Sequence, residues 1–155
     1  MALKPDRIEH YTDISFFMNA VGERGGVVVH RNVGVGGVGA SMDDASALVS
    51  YPTGVVSGTK PAGLLLNDVV NLDLTRQHIN WHKDEVQLGG KVTLLRQGQV
   101  TTNMIAAGQT PSAGIDAYYD GDGKFTTVST NSTKVGRFLS SADTDGYVKV
   151  DINIT

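Results

Sequence analysis

Several features that would assign a function are missing from this sequence of 155 residues. It contains no cysteine, which excludes disulfides and thiol chemistry and suits a reducing cytoplasm. It has neither the apolar core of a secretory signal nor an apolar run of about 20 residues, so we expect a soluble, unexported protein with no membrane contact. Lys and Arg form no run and the formal net charge is -3. The sequence therefore predicts no direct binding of nucleic acid.

Motifs for catalysis are missing as well. The chain contains no G-x-S-x-G, H-E-x-x-H or Gly-Lys-Ser/Thr sequence. This excludes the nucleophile elbow of α/β-hydrolases, the zinc-binding helix of metalloproteases and the P-loop of nucleotide-binding proteins. No pair of carboxylates stands in an apolar setting that would raise the pKa of one of them. We therefore predict that the protein is not an enzyme and that it uses no cofactor.

One glycine-rich stretch formally matches a nucleotide-binding fingerprint. Gly34, Gly36 and Gly39 satisfy G-x-G-x-x-G, in which the glycines allow a tight turn close to a pyrophosphate. A dinucleotide fold would continue with a firm helix and a second parallel strand, but residues 42–49 allow only about two helical turns before proline and glycine interrupt the chain. We interpret the stretch as a β run from Gly25 that leads into a glycine-rich surface loop.

The polar run 75–85 contains the other candidate site. His78 and His82 lie four positions apart, so a helix would bring both imidazoles to one face, as in many zinc sites. Asn80 and Trp81 between predicted strands argue against a helix, and a catalytic zinc would need a third ligand and a base. The alternative is a polar connection or an inter-subunit surface. Trp81 would be its anchor, because tryptophan is enriched in binding hot spots.

Two acidic glycine turns, 120–124 and 143–146, are similar to calcium loops. Both lack the glutamate that occupies the twelfth position of an EF-hand loop. As hairpin turns they need no ion, and we predict no metal site in the chain.

The remaining pattern predicts one β-rich domain over residues 25–155. Hydrophobic residues make up 40% of the chain, enough for a core, and the 19 glycines against 4 prolines place the excess glycine in bends. Residues 86–155 are the best-defined antiparallel unit: Asp-Gly pairs predict chain reversals, and residues 147–154 alternate apolar and polar. We predict a mainly β fold, a compact antiparallel barrel or sandwich with at most one or two short helices.

The middle of the chain adds a second apolar cluster. Residues 62–66 predict a buried strand, Asn67 and Asp68 a turn, and the alternation of Val70, Leu72 and Leu74 a second strand.

Residues 1–24 differ from the rest and form an N-terminal arm or a first element. Half of the phenylalanines of the protein lie in the run 14–18. One interpretation is a short helix that begins at Asp13 as N-cap and ends at Gly22 or Gly25. The other is an extended arm that docks on the sheet or on a neighbouring chain.

Three stretches carry a resemblance to a known family. Residues 71–98 contain a Gly-Gly-Lys-Val strand entry, residues 111–119 an Ala-Gly-Ile-Asp-Ala-Tyr strand, and residues 134–150 a Lys-Val-Gly-Arg strand, an acidic glycine turn and a final alternating strand. In this order they resemble the head-decoration, or capsid cement, proteins of tailed bacteriophages. The resemblance covers residues 62–154.

The resemblance implies a structural virion protein, made in the host cytoplasm, that sits on the outer surface of a phage capsid. Such a protein joins neighbouring subunits of the major capsid protein, often as a homotrimer. The residues expected to contact the capsid or a sister subunit are Ile14, Phe16, Phe17 and Met18 in the N-terminal segment, with Trp81 and His82 in the polar run.

The alternative function is a carbohydrate-binding or receptor-binding β module of a virion, such as a head fibre or a tail accessory piece. Its mark would be exposed aromatic rings that stack on sugars. The candidates for such rings are Trp81, Tyr118, Tyr119 and Tyr147.

Overall fold

Strands make up most of the regular structure in residues 2–31, 47–71 and 73–155, which are the residues that the computed structural model describes. The predicted mainly β fold is confirmed. The elements are β1 (Ile8–Met18), β2 (Val27–Arg31), β3 (Leu48–Ser50), β4 (Pro61–Leu65), β5 (Asp68–Val70), α1 (Gln77–His82), β6 (Glu85–Gln87), β7 (Lys91–Thr102), β8 (Asp116–Tyr119), β9 (Phe125–Thr126), β10 (Gly136–Phe138) and β11 (Val148–Asn153). Within these residues no helix has the length and apolarity to cross a membrane.

The main sheet closes on itself through its first strand. Its strand order is β1-β3-β2-β4-β7-β11-β10-β8-β9, and β1 also pairs with β7. The strands β1, β3, β2, β4 and β7 therefore form a ring in which each strand has a neighbour on both sides. The pair β1–β3 is parallel, whereas the other ring pairs are antiparallel. The predicted antiparallel pairing thus has one parallel exception in the ring, because a closed ring with an odd number of strands cannot alternate direction throughout.

Strand β7 belongs to both parts of the sheet. Leu94 and Leu95 pair with β1 on one edge and with β4 on the other. From Gln97 onwards the second edge pairs with β11, whose register runs from Asn153 opposite Gln97 to Val148 opposite Thr102. The strands β8 to β11 thus continue from the ring as an extension of the same sheet.

Two apolar clusters lie on opposite faces of the shared strands. One cluster takes a side chain from every strand of the ring, namely Met18, Val28, Val49, Ala62, Leu65, Val92 and Leu94, together with Val69. The other contains Val27, Val29, Leu64 and Leu95 and packs against the extension. Val27, Val28 and Val29 of β2 alternate between the clusters, as do Leu64 and Leu65 of β4, as the period of a strand requires. The continuous apolar runs in these strands are therefore buried on both faces.

The alternation and the chain reversals predicted for the C-terminal part appear in the structure. Val148, Val150, Ile152 and Ile154 are buried, at 4% exposure or less, and alternate with partly exposed polar residues. The acidic glycine turns join antiparallel partners, β8 to β9 and β10 to β11. In each turn an aspartate, Asp120 or Asp143, accepts hydrogen bonds from two backbone N–H groups further along the turn.

Residues 67–90 leave the main sheet and return to it, and we call them the excursion. They form the parallel pair β5–β6, joined across by α1. The expected second strand ends at Val70: Leu74 is 75% exposed in a turn, and Leu72 lies outside the described residues. Asn80 and Trp81 lie in helix α1, contrary to expectation, because the parallel strands β5 and β6 need a crossover connection, which is usually helical.

The helical alternative for the N-terminal segment is also wrong. Residues 8–18 are strand β1, held by β7 along its length and by β3 at its end. Asp13 caps no helix; its carboxylate accepts a hydrogen bond from the backbone N–H of Ser15. The glycine fingerprint at Gly34, Gly36 and Gly39 lies outside the described residues, whereas the β run before it is strand β2.

Candidate interaction surfaces

The first part of β1 is exposed although it is paired. Ile8, Tyr11 and Ile14 are 50%, 50% and 66% exposed. Register shifts interrupt the pairing with β7 at several points between Glu9 and Phe16, and such bulges twist a strand and redirect its side chains. We call residues 8–15 the exposed β1 segment. It presents large apolar side chains on a backbone that β7 holds in place.

The structure separates the four N-terminal residues that were expected to contact a partner. Ile14 is exposed, and Phe16 is half-buried with its ring edge-on to His30 at 5.3 Å. Phe17 is 4% exposed and Met18 is fully buried in the ring core, so these two assignments are corrected. A side chain that fills its own core is not available to a partner. Removal of residues 1–24 would delete a ring strand and would not isolate an arm.

The excursion carries the two most exposed large apolar side chains of the described residues. Trp81 is 79% exposed and Leu74 is 75% exposed. His82 is exposed beside Trp81, with the two rings edge-to-face at 5.1 Å. Tryptophan with this exposure has most of its apolar area free for a partner, which agrees with its expected use as an anchor.

Polar contacts hold the excursion against the main sheet. The backbone N–H of Arg24 donates to Asp68 Oδ1 at 2.8 Å, and the Arg24 guanidinium donates to Asp84 Oδ2 at 3.1 Å. Asp84 also accepts a hydrogen bond from the Asn67 amide at 3.0 Å. One arginine thus connects the start and the end of the excursion to the chain before β2. These contacts fix where Trp81 is presented.

The structure gives the acidic turns a role that needs no ion. Asp143 pairs with Lys4 at 2.6 Å. Its hydrogen bonds, first from Lys4 and then from the backbone N–H of Tyr147, lower the pKa of the Asp143 carboxyl below its ordinary value.

His78 and His82 are both exposed on α1, and no three His, Cys, Asp or Glu side chains of the described chain gather as a metal site.

The aromatic residues considered for sugar binding do not form a platform. Tyr119 is fully buried, and its hydroxyl contacts Thr59 at 2.8 Å. Tyr118 and Tyr147 are half-buried. Lys4 covers one face of the Tyr147 ring at 4.5 Å. Of the four candidates, only Trp81 exposes most of its ring.

The described part of the chain is thus a β scaffold that presents isolated apolar side chains and gathers no group of metal ligands. Residues 7–153 match the family model of the phage cement proteins, described as structural cement protein (E217 gp24/Pam3 gp6). The match runs from just before β1 to the end of β11, and the chain therefore belongs to this family. No curated protein matches the sequence.

Family membership establishes the broad role. The protein is a structural component of the phage virion, located in the capsid and associated with capsid proteins. The resemblance found in residues 62–154 of the sequence is thereby confirmed, and the match extends it to the N-terminal strand β1.

Proposed function

We propose that this protein binds the outer surface of a phage head and stabilises it by bridging neighbouring subunits of the major capsid protein. It is made in the host cytoplasm and acts as a homotrimer. The observation that carries the proposal is the match to the structural cement family over residues 7–153.

The exposed apolar side chains indicate where the contacts lie. Trp81 and Leu74 on the excursion and Ile14 on the exposed β1 segment are each at least 66% exposed, so burial against a partner would remove much apolar area from water. Phe16 and His82 stand beside these groups and would form the rim of the contacts.

Two separate contact regions on one rigid body suit the bridging of two subunits. Once one region is bound, the other meets its partner at a high effective concentration, so avidity exceeds either single affinity. A trimer multiplies this effect. A modest number of apolar anchors per copy is then sufficient to hold a shell against internal pressure.

Binding to capsids that lack the cement protein tests this function. Recombinant protein is mixed with the stripped capsids, co-sedimented, and the temperature at which the heads release DNA is measured. We expect saturable binding and a higher release temperature. Absence of binding, or binding with no change in release temperature, contradicts the proposal.

Trp81→Ala identifies the contact region. Since hot-spot tryptophans dominate the interfaces they occupy, we expect about 30-fold weaker capsid binding or more. Val55→Ala is the matched control, because Val55 is 65% exposed but lies outside both candidate regions. Equal affinities of the two variants would remove Trp81 from the interface.

Light scattering of the free protein measures its molar mass and so tests whether it is a trimer.

A further inference from the structure

A basic depression lies where the ring meets the extension. Its volume is about 390 Å³, and its charged lining comes from Lys60 before β4, Arg96 of β7 and Lys134 before β10, with the imidazole of His30 of β2 beside them. Asn153 at the end of β11 adds an amide. These residues are far apart in the sequence, and the strand pairing brings them together. We call this set of residues the basic depression.

The positive charge of the basic depression is incompletely neutralised. None of the described residues that line it is Asp or Glu. Lys134 pairs with Asp116 at 2.8 Å, and Arg96 lies close enough to Asp13 for its charge to contribute to lowering the pKa of that carboxyl, after the hydrogen bonds of Ser15. Lys60 forms no ion pair with any described residue. The Nε of Arg96 is buried and has no hydrogen-bond partner in the described chain. A buried donor without an acceptor is costly, so this group favours the arrival of an acceptor from outside.

A second depression provides a comparison within the same molecule. It is lined by Lys4, Arg7 and Arg24 and has a volume of about 310 Å³. Each of these cations has a carboxylate partner, and the partners are Asp143, Glu9 and Asp84 respectively. The Nε of Arg24, like that of Arg96, has no hydrogen-bond partner in the described chain, so the two depressions differ in their ion pairs alone. Among the described residues, every cation of the second depression therefore has a carboxylate partner, whereas Lys60 of the basic depression has none.

The basic depression borders the exposed β1 segment at Tyr11 and the next part of β1 at Phe16. The Arg96 guanidinium lies over the Tyr11 ring at 5.8 Å, and the His30 ring contacts Phe16 at 5.3 Å. Partial burial, and then the positive charge of Arg96, lower the pKa of His30, so this ring stays neutral at neutral pH. An apolar strip bordered by charged groups is the usual anatomy of a protein interface.

We infer that the basic depression binds a carboxylate side chain of the capsid protein, with Arg96 and Lys60 as its donors. The inference rests on the proposed function and adds a specific polar contact to it. The carboxylate belongs to a protein because aromatic and apolar groups border the site and because the net charge of -3 opposes an extended nucleic acid. Arg96 supplies the fixed geometry that carboxylate recognition uses, and Lys60 supplies a mobile charge.

Charge reversal at the exposed Lys60 tests this contact. Affinities for stripped capsids are measured for the wild type, for Lys60→Ala and for Lys60→Glu. Lys124→Glu is the matched control, because it makes the same charge change outside the basic depression. We expect Lys60→Glu to bind about tenfold more weakly at low salt, Lys60→Ala to fall between, and the difference to shrink at high salt. The control should bind like the wild type.

Capsids whose surface carboxylates have been converted to amides show which group is the partner. The wild type and Lys124→Glu should each bind these capsids about tenfold more weakly, whereas Lys60→Glu should lose little more, since the interaction is already absent. If Lys60→Glu binds untreated capsids as tightly as Lys124→Glu, the inference is wrong while the proposed function stands. If conversion of the carboxylates weakens the binding of Lys60→Glu by the same factor as that of the wild type, the inference is also wrong, because the partner of Lys60 is then not a carboxylate. Failure of the wild type to bind removes both proposals.

Discussion

The extension and the excursion use their aromatic residues in opposite ways. In the extension, Tyr119, Phe125 and Phe138 are fully buried in the larger core. In the excursion, Trp81 is 79% exposed. Burial of large apolar side chains stabilises a fold, whereas their exposure leaves binding free energy for a partner. The comparison separates residues that hold this protein together from residues that we propose to contact the capsid.

The largest expected effect is loss of stability in the extension. Phe138 lies edge-on to Phe125 with ring centroids 6.4 Å apart, and both are fully buried. We expect Phe138→Ala to lower the free energy of unfolding by about 3–5 kcal/mol, because it removes buried area and leaves a cavity. Denaturant titration measures this change. Phe138→Leu, which preserves most of the volume, should cost clearly less, and equal losses would contradict the packing explanation.

The next effect concerns the contact between the extension and the ring. Tyr51 follows β3, and its ring packs against Gly123; a Cβ on this glycine would lie 2.4 Å from the Tyr51 ring. Gly123→Ala should therefore cost more stability than Gly146→Ala. Both glycines have positive φ, 78° and 80°, but Gly146 has open space around its missing Cβ. Positive φ alone costs about 1–2 kcal/mol, so any excess at Gly123 measures the contacts with the Tyr51 ring and with the Val27 carbonyl oxygen, which would lie 2.5 Å from the new Cβ. No excess would mean that both groups move aside freely.

Trp81→Ala should have a much smaller effect on stability. Because its side chain is mostly exposed, we expect the free energy of unfolding to change by about 0.5 kcal/mol or less, measured by the same titration. The loss of capsid affinity then comes from the surface alone. A stability loss as large as that of Phe138→Ala would end the distinction between the two regions.

The smallest expected effect is a dependence of stability on acidic pH. The pKa of Asp143 is lowered, chiefly by its hydrogen bond with Lys4. A carboxyl with a lowered folded-state pKa contributes stability that is present above its ordinary pKa of 3.8 and is lost as the pH falls through its folded-state pKa. Thermal unfolding from pH 6 to pH 2 should show a shallower decline for Asp143→Asn than for the wild type. Identical slopes would show that the exposed pair contributes nothing.

Local patterns in the sequence predicted the extension well. The alternation from Val148 to Ile154 depends only on which face of one strand is buried, and it appears in the structure as predicted. The turns at Asp120 and Asp143 likewise depend on nearby backbone groups, which the aspartates bind as acceptors. Sequence reasoning succeeds here because the relevant partners are a few residues away.

The ring could not be predicted from local patterns. Phe17 and Met18 are buried because they lie opposite Leu48 and Val49 of β3, and β7 holds the other edge of β1. These partners are about thirty and seventy residues away along the chain. An apolar run at a terminus therefore gave no sign of whether it faced its own core or another subunit.

The candidate contacts show the same division. Trp81 could be predicted as an interface anchor because it is the one tryptophan of the sequence and lies in a polar run. The basic depression could not be predicted, since His30, Lys60, Arg96 and Lys134 come together only through the pairing of distant strands. The predicted strand at Leu74 is wrong, because apolar alternation does not show where a strand ends.

Electron cryomicroscopy of capsids decorated with this protein tests the account most directly. We expect density for it on the outer surface, across junctions between major capsid subunits, with Trp81 and the exposed β1 segment in contact with the shell and with Phe17, Met18 and Phe138 inside the fold. The account would be contradicted if each copy contacted a single capsid subunit, or if neither Trp81 nor the exposed β1 segment touched the shell.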